Sequence, residues 1–184
     1  MKKLLALSLA LILAISMFAC GESKKRNDDA SPKAMFDEII TLLGVSAEDD
    51  AAEIYYSTAD KDYLKFNDDM LSGKYGELTD YPSVDMFADY AVYFSYESYG
   101  TEFGIFKMKT NDDAKKMELY IKSRIALWLK NAINYLEMDP TLFENYTVKV
   151  DGIWVYYAAT TNNDGVKKKF TVPLYHKNPK PQTK

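Results

Sequence analysis

The stretch NDDAKKMELYIKSRIALWLKNAINYLEMDP, residues 111–140, restricts the possible folds more than any other part of this chain. Ala114, Met117, Ile121, Ile125, Trp128, Ala132 and Tyr135 recur every three or four residues, which places them in one stripe along an α-helix. Lys115, Lys116, Lys122 and Lys130 fall mostly off that stripe. Asn111 or Asp112 is expected to cap the helix, and Asp112 and Asp113 suit the positive end of its dipole. Asp139-Pro140 is expected to end it. At about 1.5 Å per residue such a helix can cross a whole sheet, and its stripe needs a surface of that size to cover it.

Strand patterns on both sides supply that surface. In DYAVYFSYES, residues 89–98, Tyr90, Val92, Phe94 and Tyr96 alternate with Ala91, Tyr93, Ser95 and Glu97. EFGIFKMK follows, with Phe103 and Ile105 on one face and Phe106 and Met108 on the other. After the helix, residues 146–150 alternate again. Asp151-Gly152 is a two-residue hairpin signal, and residues 153–160 form the last expected strand. The expected fold is α+β: an antiparallel four-stranded sheet in β-β-α-β-β order, with the long helix on one face.

The preceding segment reads as short helices. Ser31-Pro32 has the form of an N-cap with proline at the first helical position, and Met35, Phe36, Ile39, Ile40, Leu42 and Leu43 follow before Gly44. Ser46-Ala47-Glu48-Asp49 resembles a capping box, which predicts a second short helix running through Ile54-Tyr55-Tyr56. Residues 57–82 read as loops with one short helix near Asp68 to Ser72. Asn162-Asn163-Asp164-Gly165 reads as a loop, and the final VKKKFTVPLYHKNPKPQTK holds six lysines and no acid. The expected domain spans residues 34–172, with a disordered basic tail over 173–184.

The first residues stand apart from this domain. Met1-Lys2-Lys3 is basic, residues 4–18 are uncharged and mostly aliphatic, and Ala19 is a small residue just before Cys20. These are the three regions of a secretory signal peptide, and the apolar run is short for a membrane span. Cys20 is the only cysteine, so no intrachain disulfide can form. The leader resembles a bacterial lipoprotein signal, which implies cleavage after residue 19 and lipidation of Cys20. Two acyl chains would then hold the protein stably on the outer face of the cell membrane. Residues 20–33, with the sequence CGESKKRNDDASPK, are polar and charged and read as a flexible tether.

Of the 23 basic side chains, Lys2 and Lys3 leave with the leader, so 21 remain against 27 acidic ones, a formal charge of −6. That balance argues against nucleic acid as a partner.

The signal ending in Phe18-Ala19-Cys20, EFGIFKMKTNDDAKKM, the long helix and LFENYTVKVDGIWVYYA together resemble an uncharacterised family of small lipoproteins, a domain of unknown function, from clostridial Gram-positive bacteria. The likeness covers residues 87–169 together with the signal and tether. It implies a secreted, lipid-anchored domain. It implies no reaction and carries over no catalytic residues.

Motifs for catalysis are sparse. His176, the only histidine, lies in the lysine- and proline-rich end, which argues against histidine-based nucleophilic triads. There is no H-E-x-x-H and no phosphate-binding G-x-x-x-x-G-K-[ST], so no metal or cofactor is expected. The Asn162 to Gly165 stretch faintly resembles a calcium loop but has no closing Glu, so it reads as a turn. Asp37, Glu38, Glu48, Asp49, Asp50, Glu53, Asp60 and Asp62 form an acidic run, read first as a solvated face. Its functional alternatives are a weak site for Ca²⁺ or a cationic peptide, or the carboxylates of a hydrolase acting on cell-wall or extracellular polymer.

The fifteen tyrosines are the most suggestive feature. Tyrosine suits strands and binding surfaces alike. If the sheet keeps an open face, Tyr93, Trp154 and Tyr156 are the candidate ligand surface on the side away from the long helix. The competing expectation is that the N-terminal helices cover them. The expected function is a lipid-anchored binding or accessory module at the cell surface, non-enzymatic, with a protein or glycan partner. The carboxylate-dependent hydrolase is the alternative.

Overall fold

The computed structural model describes residues 26–46, 52–76, 80–95, 100–132 and 140–175. The leader, Cys20, Tyr96, Tyr99, Tyr135 and His176 lie outside the described residues. The elements are α1 (Pro32–Leu43), β1 (Ala52–Tyr56), α2 (Asp68–Tyr75), β2 (Phe87–Ser95), β3 (Glu102–Met108), α3 (Asn111–Ala132), the single turn α4 (Thr141–Glu144), β4 (Thr147–Asp151), β5 (Trp154–Ala159) and α5 (Asn163–Tyr175). Two 3₁₀ turns, Asp62–Leu64 and Val84–Met86, join them.

The sheet among the described residues has five strands in the order β1-β2-β3-β5-β4, all neighbours antiparallel. The β-β-α-β-β arrangement is present within it, but the expected four strands become five. The extra one, β1, occupies the segment expected to be helical through Ile54-Tyr55-Tyr56. It pairs with β2 from Ala52↔Ser95 to Tyr56↔Ala91. Ile54 packs on one face of the sheet and Tyr55 on the other. An element buried on both sides in this way follows its tertiary partners rather than its own propensity.

Both faces of the sheet are packed. On one, Val92, Phe94, Phe106, Val155 and Tyr157 meet Met117, Ile121 and Ile125 of α3, with Leu71 and Tyr75 of α2 in the same cluster. On the other, Ala91, Tyr93, Phe103, Ile105, Trp154 and Tyr156 meet Met35, Phe36 and Ile39 of α1 and Val166, Phe170 and Leu174 of α5. The result is a three-layer α/β/α arrangement. It explains why β2 and β5 read as nearly continuous apolar runs: strands covered on both faces have no solvent side to alternate with.

Several local expectations shift by small amounts. Ser31 caps α1 by accepting from the Ala34 amide, and Gly44 ends it at φ 66°, as its sequence suggests. The cap of α3 is Thr110, one residue before the expected pair. Its hydroxyl accepts from the Asp113 amide at 3.1 Å and donates to the Asp113 carboxylate at 2.7 Å. The β4–β5 loop is Gly152-Ile153, because Asp151 already pairs with Trp154. Gly152 has φ 60° and, among the described residues, no non-glycine has positive φ, which is the pattern of a type II′ turn rather than one opening at Asp151.

The largest correction concerns the C-terminal segment. Residues 163–175, read as a loop and the start of a disordered tail, form α5. Val166, Phe170 and Leu174, spaced four apart, are fully buried. The lysines between them occupy the outer side, and Lys169 bridges to Glu38 of α1 at 3.0 Å.

Candidate functional site

The three aromatic residues proposed as a ligand surface are core. Tyr93, Trp154 and Tyr156 are 3%, 0% and 1% exposed. Tyr93 stacks on Phe103 with ring centres 5.4 Å apart, and Tyr156 lies 4.6 Å from the Phe170 ring. They do lie on the face away from the long helix, but α1 and α5 cover that face, so no aromatic platform exists there. The Tyr156 hydroxyl is buried with no hydrogen-bond partner. Burial, with the nearby negative charge of Asp151, pushes its pKa up to about 12.

At the β4–β5 turn the chain entering the domain is clamped. The Arg26 guanidinium donates to the Asp28 carboxylate at 2.6 Å and to the Asp151 carbonyl at 2.8 Å. Asn27 donates from its amide to the Leu174 carbonyl at 2.7 Å and from its side chain to the Pro173 carbonyl at 3.4 Å. It thereby satisfies two carbonyls that the last turn of α5 leaves without intrahelical partners. The Trp154 indole N–H donates to Asp28 at 3.2 Å, and the Tyr175 hydroxyl bonds Asp151. Gly152 makes room for this: a Cβ there would lie 1.9 Å from the Arg26 guanidinium. The hydrogen bond from Arg26 holds the Asp28 carboxyl below its ordinary pKa, and Asp28 raises that of Arg26. Residues 26–33, read as part of a flexible tether, are therefore docked on the domain and already enter α1. Residues 20–25 lie outside the described residues.

On the α3 face the fold buries a second polar cluster, and nothing in the sequence reading singled it out. Glu102 and Arg124 are 3% and 8% exposed. They form a two-pronged pair, Nε and Nη2 of Arg124 each 2.8 Å from a carboxylate oxygen. The remaining Arg124 donor reaches the Lys74 carbonyl at 2.9 Å, and Tyr157 donates to Glu102 at 2.8 Å. Tyr75 and Tyr157 share a hydroxyl contact at 3.3 Å. Burial alone would lower the Arg124 pKa, but the Glu102 charge and hydrogen bonds outweigh it and hold the guanidinium ionised. Burial and the Glu102 charge push both tyrosines well above their ordinary values. Gly104 permits the arrangement, since a Cβ there would come within 2.7 Å of the Tyr157 ring. Each side chain of the cluster has a hydrogen-bond partner within it, which suits a structural role. The only hint available beforehand was an arginine flanking the apolar stripe.

The acidic run does not assemble. Asp37 and Glu38 lie on α1 and pair with Lys33 and Lys169, whereas Glu53 on β1 pairs with Lys74 and Asp62 with Lys65. α1 packs on the face opposite the one that holds α2 and its Lys74. Glu48, Asp49 and Asp50 lie outside the described residues. Among the described residues no group of three or more His, Cys, Asp or Glu side chains is placed to hold a metal ion.

A concavity lies at the opposite end of the sheet from the clamp. It is an open groove of about 680 Å³ between α4 and the start of α5, lined by Thr141, Leu142, Asn145 and residues 160–164. Its polar groups fix one another. Asn163 accepts from the Thr160 amide and hydroxyl at 2.9 and 2.8 Å and donates to the Asn145 carbonyl at 2.7 Å. Asn162 caps α5 by accepting from the Gly165 amide at 3.0 Å. The Asn162 to Gly165 stretch, which resembled a calcium loop, is thus a helix start. The lining offers amides, hydroxyls and one carboxylate, Asp164, and no cation.

No protein-family model, curated protein or solved structure matches this chain.

Proposed function

We propose that this chain is a lipid-anchored extracytoplasmic protein serving as a non-enzymatic binding or accessory module at the cell surface, and that the groove between α4 and α5 is where it meets its partner. The observation that carries the binding role is the groove itself. Its hydrogen-bonding groups are pre-positioned by mutual bonds, which lowers the ordering cost of recognition. The lining of amides and hydroxyls with a single carboxylate, Asp164, suits a polyhydroxylated or amide-rich partner, a glycan or a peptide, over an anionic one. The anchoring half of the proposal is supported by the basic start, apolar run and Ala19-Cys20 junction of the leader. The resemblance of residues 87–169 to small clostridial lipoproteins supports the same reading.

The test is a binding and turnover screen of the Cys20→Ala protein against cell-wall glycans and peptides. The proposal expects a bound partner released intact, with binding weakened about tenfold or more by Asn145→Ala combined with Thr161→Arg, a loss of about 1.4 kcal/mol. Turnover abolished by a single Asp or Glu substitution would establish the hydrolase instead.

A further inference from the structure

The two ends of the domain differ in what they hold. Arg26, the first described residue, and Tyr175, the last, are both tied to Asp151. The first and last described residues therefore lie together beside the β4–β5 turn. The groove lies at the other end, because β5 runs from Trp154 beside the clamp to Ala159 beside Thr160, and α5 runs back from Asn163 to Tyr175. Six strand residues at about 3.3 Å each, or thirteen helical residues at about 1.5 Å each, separate the two ends by roughly 20 Å.

Cys20 is six residues before Arg26. A chain of that length reaches at most about 21 Å even when fully extended. If Cys20 carries the lipid, the clamp end cannot leave the neighbourhood of the bilayer, while the groove end can point away from it. Charge agrees with this polarity. Lys24 and Lys25 precede Arg26, whose own charge is paired with Asp28 and Asp151, and residues 176–184 hold Lys177, Lys180 and Lys184 with no acid, although the chain as a whole is acidic. Basic segments next to a membrane are drawn to anionic headgroups.

We propose that the β4–β5 turn end of the domain faces an anionic lipid bilayer, held there by the clamped Arg26–Asp28 segment, and presents the α4–α5 groove outward. The proposal rests on the anchoring of Cys20. It assigns a purpose to the clamp: docking residues 26–28 onto α5 and the turn shortens the free reach of the anchor and fixes which end faces the lipid.

The full lipidated chain is reconstituted in vesicles of mixed phosphatidylcholine and phosphatidylglycerol containing a headgroup-quencher lipid. A fluorophore is placed on Lys109→Cys, beside the turn, or on Thr161→Cys, in the groove. The expected result is several-fold stronger quenching at position 109 than at 161. Inserting about twenty Gly/Ser residues after Ser23 should bring the ratio towards one, since such a linker spans roughly 25 Å on average and reaches much farther. Equal or reversed quenching in vesicle-bound protein overturns the orientation and leaves the anchor standing. A ratio unchanged by the insertion overturns the role of the short, clamped segment. A wild-type chain that fails to sediment with the vesicles removes the anchor, and the orientation with it.

Discussion

Arg124 shows how much one residue can depend on another in this fold. It projects from α3 into the aromatic side of the sheet, its guanidinium 4.7 Å from the Phe94 ring and paired with Glu102. Removing one member of such a pair strands a buried charge, whereas removing both with apolar replacements does not. Arg124→Met is therefore expected to cost about 3–5 kcal/mol in urea unfolding. The Glu102→Leu, Arg124→Met double variant should be more stable than the Arg124→Met single. Equal losses that simply add would show that the two groups are not coupled.

At this scale the sequence was partly legible. Period two alone puts Phe103 and Ile105 opposite Phe106 and Met108 and puts Trp154 with Tyr156, as in the structure, but which set meets the long helix depends on register. The Glu102–Arg124 pair does not follow, because its members are 22 residues apart and meet only once α3 lies across β3. The Arg26 clamp is hidden for the same reason, since its partner Asp151 stands 125 residues away.

The elements divide by how local their causes are. α1 and α3 carry complete local signals, an apolar stripe and a defined start, and both were expected. β1 reads as a helix because Ser46-Ala47-Glu48-Asp49 has the form of a capping box just before it, while its strand state comes from pairing with β2 and burial on both faces. α5 was hidden by its lysines and by Pro173, which suggest a polar, broken segment. The stripe of Val166, Phe170 and Leu174 outweighs them because each residue is completely buried. Pro173 removes only the helical bond to the residue 169 carbonyl, close to the end of the helix, while Asn27 bonds the Pro173 and Leu174 carbonyls that the helix end leaves open. α5 is therefore a structural layer. Phe170→Ala should lower stability by about 3–5 kcal/mol in denaturant titration, the range for large-to-small changes in a packed aromatic core. A loss below about 1 kcal/mol, typical of surface positions, would mean that α5 does not close the sheet.

For the whole molecule, α1 and α5 on one side and α2 and α3 on the other cover both sheet faces among the described residues, which places the proposed recognition at the ends of the strands. One end gathers the first and last described residues, and the other carries the Asn- and Thr-lined groove. On the proposed account this polarity has meaning only if the protein is fixed to a membrane by its N-terminus, so the state of Cys20 is central. It is read directly by mass spectrometry of the N-terminal peptide from protein extracted out of membranes. The account predicts a chain that begins at Cys20, with residues 1–19 removed and a diacylglyceryl thioether on its sulfur. A free Cys20 thiol, or a peptide still continuous with the leader, would contradict it.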